Sequence, residues 1–256
     1  MDREITWDLR TVDELTADES ALMFQLMLQC YDNVSQETFT KDLLDKHWVL
    51  MMRSAETGKV VGFSTQKLLE LEIDGKAYSI LYSGDTVMQR KYWGKRELLL
   101  AFACLVDALM QRAKGDKFYW FLISKGYKTY HFLPVMFREF YPNKDGSIPD
   151  DVKLVLDYLG AVVGGNLFDP ERGVIESQGG WYVLKEDIAE MTTLRTKDPH
   201  AQFFVQSNPG FSRGDELCCL AELNAGNYTK VALRLLRNYK LDHHTPFRIP
   251  APERST

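Results

Sequence analysis

The sequence predicts an α+β fold: a mixed central β-sheet flanked by helices, with an extension on its C-terminal side. Three observations predict it. Residues 48–88 alternate with the two-residue rhythm of strands and contain Asp74-Gly75, the pair that best tolerates the positive φ angles of a type I′ hairpin. From Tyr78 onward the chain reads strand, basic turn (89–96), helix, then the aromatic strand 117–123, an order that calls for a right-handed crossover and a parallel pair. Outside the strands, apolar residues recur at spacings of three and four, as on one face of a helix.

In chain order, 7–10 is a short strand and 13–30 a helix whose inner rows hold Leu22, Met23, Leu26 and Met27. A second helix starts after Ser35, whose hydroxyl suits an N-cap. Residues 47–53, 59–73 and 78–88 form an antiparallel meander. Leu98, Phe102, Leu105 and Leu109 line one face of the next helix, which Gly115 stops. Residues 125–140 read as helical, with Pro134 kinking the helix or opening a new turn. Beyond them, 150–158 is a helix, 181–184 and 202–205 are strands, and 215–223 and 228–237 are helices. Residues 243–256, rich in proline and charge, read as a mobile tail. The expected organisation is a core over 1–142, an extension packed on it over 143–241, and a flexible tail over 242–256.

Composition excludes several classes. Of the 256 residues 45% are hydrophobic and 12% aromatic, enough for a true core. The formal charge of -5 gives no electrostatic reason to expect nucleic acid. No apolar run approaches the ~20 residues that span a bilayer, and Met-Asp-Arg-Glu does not open a signal peptide. Cys30, Cys104, Cys218 and Cys219 form neither a CxxC nor a Cys/His cluster, and His243-His244 lacks a third ligand, so no metal is expected. The cysteines read as buried thiols of a reducing compartment, and the expected location is the cytoplasm.

The basic turn carries the functional signal. A strand running through a cationic, glycine-containing loop into a helix N-terminus aims unpaired N–H groups and the positive helix dipole at one spot. Arg90, Lys91, Lys95 and Arg96 are local to it. The simplest ligand is a phosphorylated carrier, coenzyme A or a phosphopantetheinyl protein; the alternative is a solvated basic turn.

Two helices, a meander, then strand, basic turn, helix, strand and helix resemble the order of the GNAT acyltransferase superfamily over residues 7–142. Tyr92-Trp-Gly-Lys-Arg-Glu-Leu98 is similar to the family's Arg/Gln-x-x-Gly-x-Gly/Ala loop, with Trp93 in the Arg/Gln place and Gly94 after it. Arg96 and Leu98 then fill the two signature glycine positions; a register starting at Gln89 puts Tyr92 at the first of them and Gly94 at the last. The resemblance implies a GNAT-like mixed sheet with helices on both faces. It also implies N-acyl transfer from a thioester, acyl-CoA or acyl carrier protein, to an amine of a small molecule or peptide. Loops that depart from the pattern resemble those of enzymes using long, fatty acyl chains. Donor contacts implied by the match are Val87, Met88, Gln89, Arg90, Trp93, Gly94, Lys95 and Arg96, the first two through backbone N–H groups. The alternative is a catalytically inactive GNAT-fold binding module, which Arg96 and Leu98 at the glycine positions favour.

Amide formation from a thioester needs a neutral amine, a polarised carbonyl and a protonated leaving thiolate. Asp85 lies inside a strand beside Gly84, alternating with Ser83 and Val87; it is an acceptor-site base or a carboxylate paired to a nearby cation. In Tyr127-Lys-Thr-Tyr-His131, Tyr130 is the candidate acid for the thiolate and His131 a second base, unless both belong to a core aromatic cluster. Phe102, Phe118, Trp120, Phe121, Phe132, Phe137 and Phe140 form a surplus of rings, some of them core and the rest available to line an acyl channel.

Overall fold

The computed structural model describes residues 4–177, 182–188, 197–242 and 249–250, with the backbone alone over 239–242. In chain order its elements are β1 (Ile5–Thr11), α1 (Ala17–Cys30), β2 (Tyr31–Asp32), α2 (Gln36–Leu44), β3 (Trp48–Ser54), β4 (Val60–Ile73), β5 (Lys76–Met88), α3 (Glu97–Met110), β6 (Lys117–Ser124), α4 (Tyr127–Tyr130) and α5 (Phe132–Met136). There follow α6 (Asp150–Gly164), β7 (Phe168–Asp169), β8 (Val174–Ile175), β9 (Val183–Leu184), α7 (Pro199–Ser207), β10 (Glu216–Glu222) and α8 (Lys230–Asp242).

One mixed sheet runs β1-β3-β4-β5-β6-β10-β8-β7, and β2 pairs with β9 beside it. Local chemistry explains its meander. Asp74 and Gly75 both take positive φ, 51° and 71°, closing the β4–β5 hairpin. The crossover through α3 makes β5 and β6 parallel, from Tyr78↔Lys117 to Ser83↔Leu122. Thr16 caps α1 by a reciprocal exchange with Glu19, and Ser35 Oγ accepts the Thr38 N–H at 3.0 Å to open α2.

Helices cover both faces. On one face α1 and α2 bury Met23, Leu26 and Phe39 against Met51, Phe63 and Val87, while α6 buries Val155 and Leu156 against Ile80 and Phe121. On the other, α3, α5, α7 and α8 close over Leu81, Trp120, Leu122 and Cys219.

The C-terminal half differs from the expectation. Residues 215–223, expected as a helix, contain β10, which pairs antiparallel with β6 on one side and β8 on the other. Its run Leu-Cys-Cys-Leu-Ala is buried on both faces of the sheet, and a strand buried on both faces shows no alternation to read. Residues 202–205, expected as a strand, lie in α7, because Asp198 caps His200 N–H and Pro199 begins the first turn. The helix expected over 125–140 breaks into α4 and α5 and ends where Phe137 makes an isolated bridge to Tyr228. Residues beyond 142 therefore supply strands to the sheet itself. In the expected tail, Ile249 is buried and the Pro250 carbonyl accepts the Trp48 Nε1 hydrogen at 2.8 Å; residues 178–181, 243–248 and 251–256 lie outside the described residues.

Candidate active site

A break in the sheet creates the site. Along β4 and β5 the register passes from Gln66↔Ser83 to Ser64↔Thr86, so Gly84 and Asp85 together oppose Thr65 in a β-bulge. Pairing between β5 and β6 stops at Ser83↔Leu122, while β5 continues to Met88 on β4 alone and β6 continues to Ser124 on β10 alone. The two strands part there. Gln89 N–H donates to the Val61 carbonyl, so ladder alternation assigns the Val87 N–H to Phe63 and turns those of Thr86 and Met88 toward the gap. Of the two backbone donors expected, Met88 faces the opening and Val87 is engaged in the sheet.

The bulge also sets which way Asp85 faces. Two residues share one position opposite Thr65, so Asp85 falls on the α1–α2 face with Tyr82 and Val87, and Ser83 takes the opposite face. This corrects the expected alternation of Asp85 with Ser83. Gly84 is needed because a Cβ there would lie 2.6 Å from Thr65 Oγ1 and 2.8 Å from Lys46 Cε.

A cavity of about 1260 Å³ occupies the gap and draws its walls from both faces of the sheet. On the α2 side it meets Asp42, Lys46, Tyr82, Asp85, Lys125 and Glu216. Lys46, with its side chain 1% exposed, donates to Asp42 Oδ1 at 2.7 Å, the Asp42 carbonyl at 3.0 Å and Asp45 Oδ2 at 3.5 Å. Lys125 and Glu216 form a buried pair at 2.8 Å. Burial, reinforced by the Asp42 carboxylate, raises Asp85 to about 7, although Lys125 and Lys46 pull the other way. That value suits proton exchange at neutral pH.

On the α3 side the cavity meets Met88, Trp93, Gly94, Lys95, Arg96 and Leu98. Gly94 takes φ 81°, the left-handed conformation that lets the turn reverse before α3, and no side chain caps that helix. Trp93 Nε1 donates to the Met88 carbonyl at 2.7 Å, tying the turn to the end of β5. The four local cations are not equivalent. Arg90 is paired with Asp187 and does not line the cavity, nor does Gln89; Lys91 lies over the Tyr92 ring, and Lys95 binds Glu4 at 2.8 Å. Arg96 is exposed and has no ion pair among the described residues.

The two helical candidates separate. His131 lines the cavity. Tyr130 does not: it is fully buried, packed edge-on or tilted against Phe140, Phe203 and Phe204, and its hydroxyl donates to the Pro142 carbonyl at 3.0 Å. Burial pushes its phenol far above the ordinary value, which makes it a core residue and corrects its assignment as an acid. Its neighbour Tyr127 matters instead. Tyr127 O–H donates to Asp198 Oδ2, and His131 Nδ1 lies 2.8 Å from the Tyr127 hydroxyl oxygen. Burial opposes ionisation of Asp198, but the Tyr127 hydroxyl and the His200 and Ala201 amides hold its carboxyl below the usual value. With the single Tyr127 proton given to a carboxylate, the Nδ1 of His131 must be the donor to Tyr127, which assigns the basic lone pair of a neutral imidazole to Nε2.

The aromatic surplus is mostly core. Phe102, Phe118, Trp120, Phe137 and Phe140 pack under the α3 face and Phe121 under the α6 face; Phe132 alone of the seven lines the cavity. Asp42, Lys46 and Glu216 of the wall, and Asp198 behind Tyr127 and His131, have no local signature, because these groups come from segments far apart in the chain. Cys30, half-buried, also lines the cavity, and burial raises its thiol. Among the described residues no cluster of three or more metal-binding side chains occurs, and no helix is long and apolar enough to cross a membrane.

No family model matches the sequence, and no curated protein matches it significantly. Several solved structures are similar in part. One is a conserved protein of unknown function from Enterococcus faecalis, carrying the description probable N-acyltransferase: 15% identity, TM-score 0.40, 53% of this chain and 33% of that one. A second is Saccharomyces cerevisiae N-myristoyltransferase with bound myristoyl-CoA: 16% identity, TM-score 0.39, 49% of this chain and 30% of that one. A GNAT family N-acetyltransferase from Escherichia coli in complex with CoA gives 13% identity, TM-score 0.38, 52% of this chain and 70% of that one. The matched part spans about a third of the first two proteins.

Proposed function

We propose that the protein is a GNAT-like N-acyltransferase that moves an acyl group from a coenzyme A or phosphopantetheine thioester to an amine. The observation that carries this reading is the cavity running through the parted β5 and β6, with a carboxyl near neutrality on one wall and a helix-capped basic turn on the other. Phosphates of the donor lie against Gly94, Lys95, Arg96 and the first amides of α3. The thioester reaches into the gap, where the Met88 N–H stabilises the developing oxyanion. The acceptor enters from the α2 side. At pH 7 an alkylamine with pKa ~10.4 resists deprotonation by about 4–5 kcal/mol, and Asp85 takes that proton as the nitrogen attacks. The C–N bond forms, the C–S bond breaks, and the leaving thiolate takes a proton from Nε2 of His131, which acts here as an imidazolium charged from solvent and held at Nδ1 by Tyr127 and Asp198.

A fatty acyl donor is the finer reading. Its support is the size of the cavity, above the ~300–1,000 Å³ of ordinary ligand pockets, and an apolar wall of Leu98, Leu99, Phe132, Val135, Val231 and Leu235. Acyl-CoAs from acetyl to dodecanoyl, incubated with a panel of amines and followed by thiol release and intact product mass, test both levels. We expect amide product, and donor affinity that rises about fourfold per buried methylene until the wall is covered. Best turnover with acetyl removes the fatty acyl reading. Donor binding without product on any amine removes catalysis and leaves a binding module.

The donor wall yields a second expectation. Arg96→Glu should weaken coenzyme A binding by calorimetry about tenfold or more, the scale of one charge-assisted contact to phosphate. Lys95→Glu should matter less, because Glu4 already engages Lys95 at 2.8 Å. Unchanged affinity in the Arg96 variant would remove phosphate binding from this turn.

A further inference from the structure

Around Asp85 the cavity has used its donors and kept its acceptors. The Lys46 ammonium gives its hydrogens to three oxygens, Lys67 binds Asp45 at 2.6 Å, and Lys125 binds Glu216 at 2.8 Å. The acceptors are not all matched. Glu216 has a side chain only 6% exposed, with Oε1 on Lys125 and Oε2 without any partner. Asp85 makes no hydrogen bond or ion pair among the described residues. The Tyr182 hydroxyl is buried and unpartnered.

Leaving a buried carboxylate oxygen unsatisfied costs free energy, so it persists where a ligand supplies the missing donor. Glu216, Asp85 and Tyr182 all line the one cavity. Rings complete the surroundings: β2–β9 pairing brings Tyr31 and Tyr182 together with centroids 6.3 Å apart, and Tyr82 lies on the same wall. Orphan carboxylate oxygens and aromatic faces recognise a hydrogen-bond-donating cation. An acceptor carrying a carboxylate meets two further carboxylates there, with the neighbouring lysines already engaged by Asp42, Asp45 and Glu216.

We propose that the acceptor is a diamine: one nitrogen reacts beside Asp85 while the second, as an ammonium, seats on Glu216 Oε2 among Tyr31, Tyr82 and Tyr182. This rests on the acyl-transfer reading for the role of the first nitrogen, whereas the second site is a binding property measurable without turnover.

Calorimetry with 1,4-diaminobutane, butylamine and 4-aminobutanoate at pH 7.5 isolates the second charge at constant chain length. The expected order is diamine at least tenfold tighter than butylamine, with 4-aminobutanoate weakest. Glu216→Gln, which keeps the shape of the side chain, should shrink the diamine advantage to about twofold or less and leave butylamine unchanged. Tyr182→Phe removes one hydroxyl and should weaken the diamine by a smaller factor. Equal binding of the three probes overturns the inference, as does a diamine preference that survives both substitutions. The two readings then separate. A Glu216-dependent diamine preference with no acyl transfer from any thioester keeps this site and removes the transferase. Acyl transfer that is as efficient to butylamine and 4-aminobutanoate as to the diamine keeps the transferase and removes this site.

Discussion

Asp85→Asn lowers kcat by about 10²–10⁴-fold, the range for loss of a positioned general base. The substitution preserves side-chain size at a bulge where two residues oppose Thr65, so the fold has no steric reason to change. The pH dependence separates this from misfolding. Wild-type kcat/KM should rise through about 7, the value to which burial and the Asp42 carboxylate bring Asp85, and that limb should vanish in the variant. Stability should move the other way. The folded carboxyl is raised above its unfolded value, so between the two the native state keeps a proton that the unfolded chain has released, and stability falls across that window. Wild type should therefore lose stability relative to Asp85→Asn between about pH 4 and 7, at up to about 1.4 kcal/mol per pH unit, and differ by a constant amount above. Parallel thermal melts of the two proteins at pH 4, 5.5, 7 and 8.5 measure this. Melting curves that keep the same spacing at every pH would show that Asp85 is not raised, and a folded variant with wild-type kcat would move the base elsewhere.

What could be read before folding follows from the range of the interactions. The β4–β5 hairpin and the Ser35 cap depend on residues within one turn of each other, the crossover through α3 on the order of consecutive elements, and all three are present. Asp85 stood out for a similar reason, since a charge inside a strand is costly wherever the strand is buried. Its direction did not, because a bulge of one residue changes which neighbours share a face without leaving a mark beyond Gly84. Tyr127 and Tyr130 share the short helix that His131 ends, both are fully buried, and periodicity alone cannot say which hydroxyl meets His131. Asp198 decides it from 71 residues away. A still longer separation hides Glu216 from Lys125, 91 residues apart. In the C-terminal half, the Phe-Phe-Val of α7 favours a strand by propensity, but the Asp198 cap and burial of Ala201 and Phe204 at a helical spacing prevail.

Gln66→Leu should be the most destabilising single change near the site, and it tests what holds the bulge open. Gln66 is fully buried and links β4 to β5 below the gap. Trp120 Nε1 donates to Ser83 Oγ at 2.8 Å, Ser83 Oγ to Gln66 Oε1 at 2.7 Å, and Gln66 Nε2 to Ser64 Oγ at 2.8 Å. Ser64 Oγ meets Thr86 Oγ1 at 2.7 Å, on the far side of the bulge. The chain therefore spans the irregularity from Ser83 to Thr86 and satisfies each polar group where the ladder skips. Leucine fills similar space but removes an acceptor from Ser83 and a donor from Ser64. Two buried bonds at about 1 kcal/mol each, plus a stranded Ser83 hydroxyl at about 1–3 kcal/mol, give a loss of roughly 3–5 kcal/mol. For a chain of this size that lowers Tm by roughly 6–20 °C. A regular strand needs no such brace, so Gln66→Leu should also reduce kcat by releasing Thr86 and the Met88 N–H from their alignment, with donor affinity at the basic turn largely kept. Ser83→Ala, which removes the hydroxyl that Trp120 and Gln66 share, should reproduce both effects at smaller size. A Gln66→Leu protein that melts within about 2 °C of wild type would show that the bulge stands without the network.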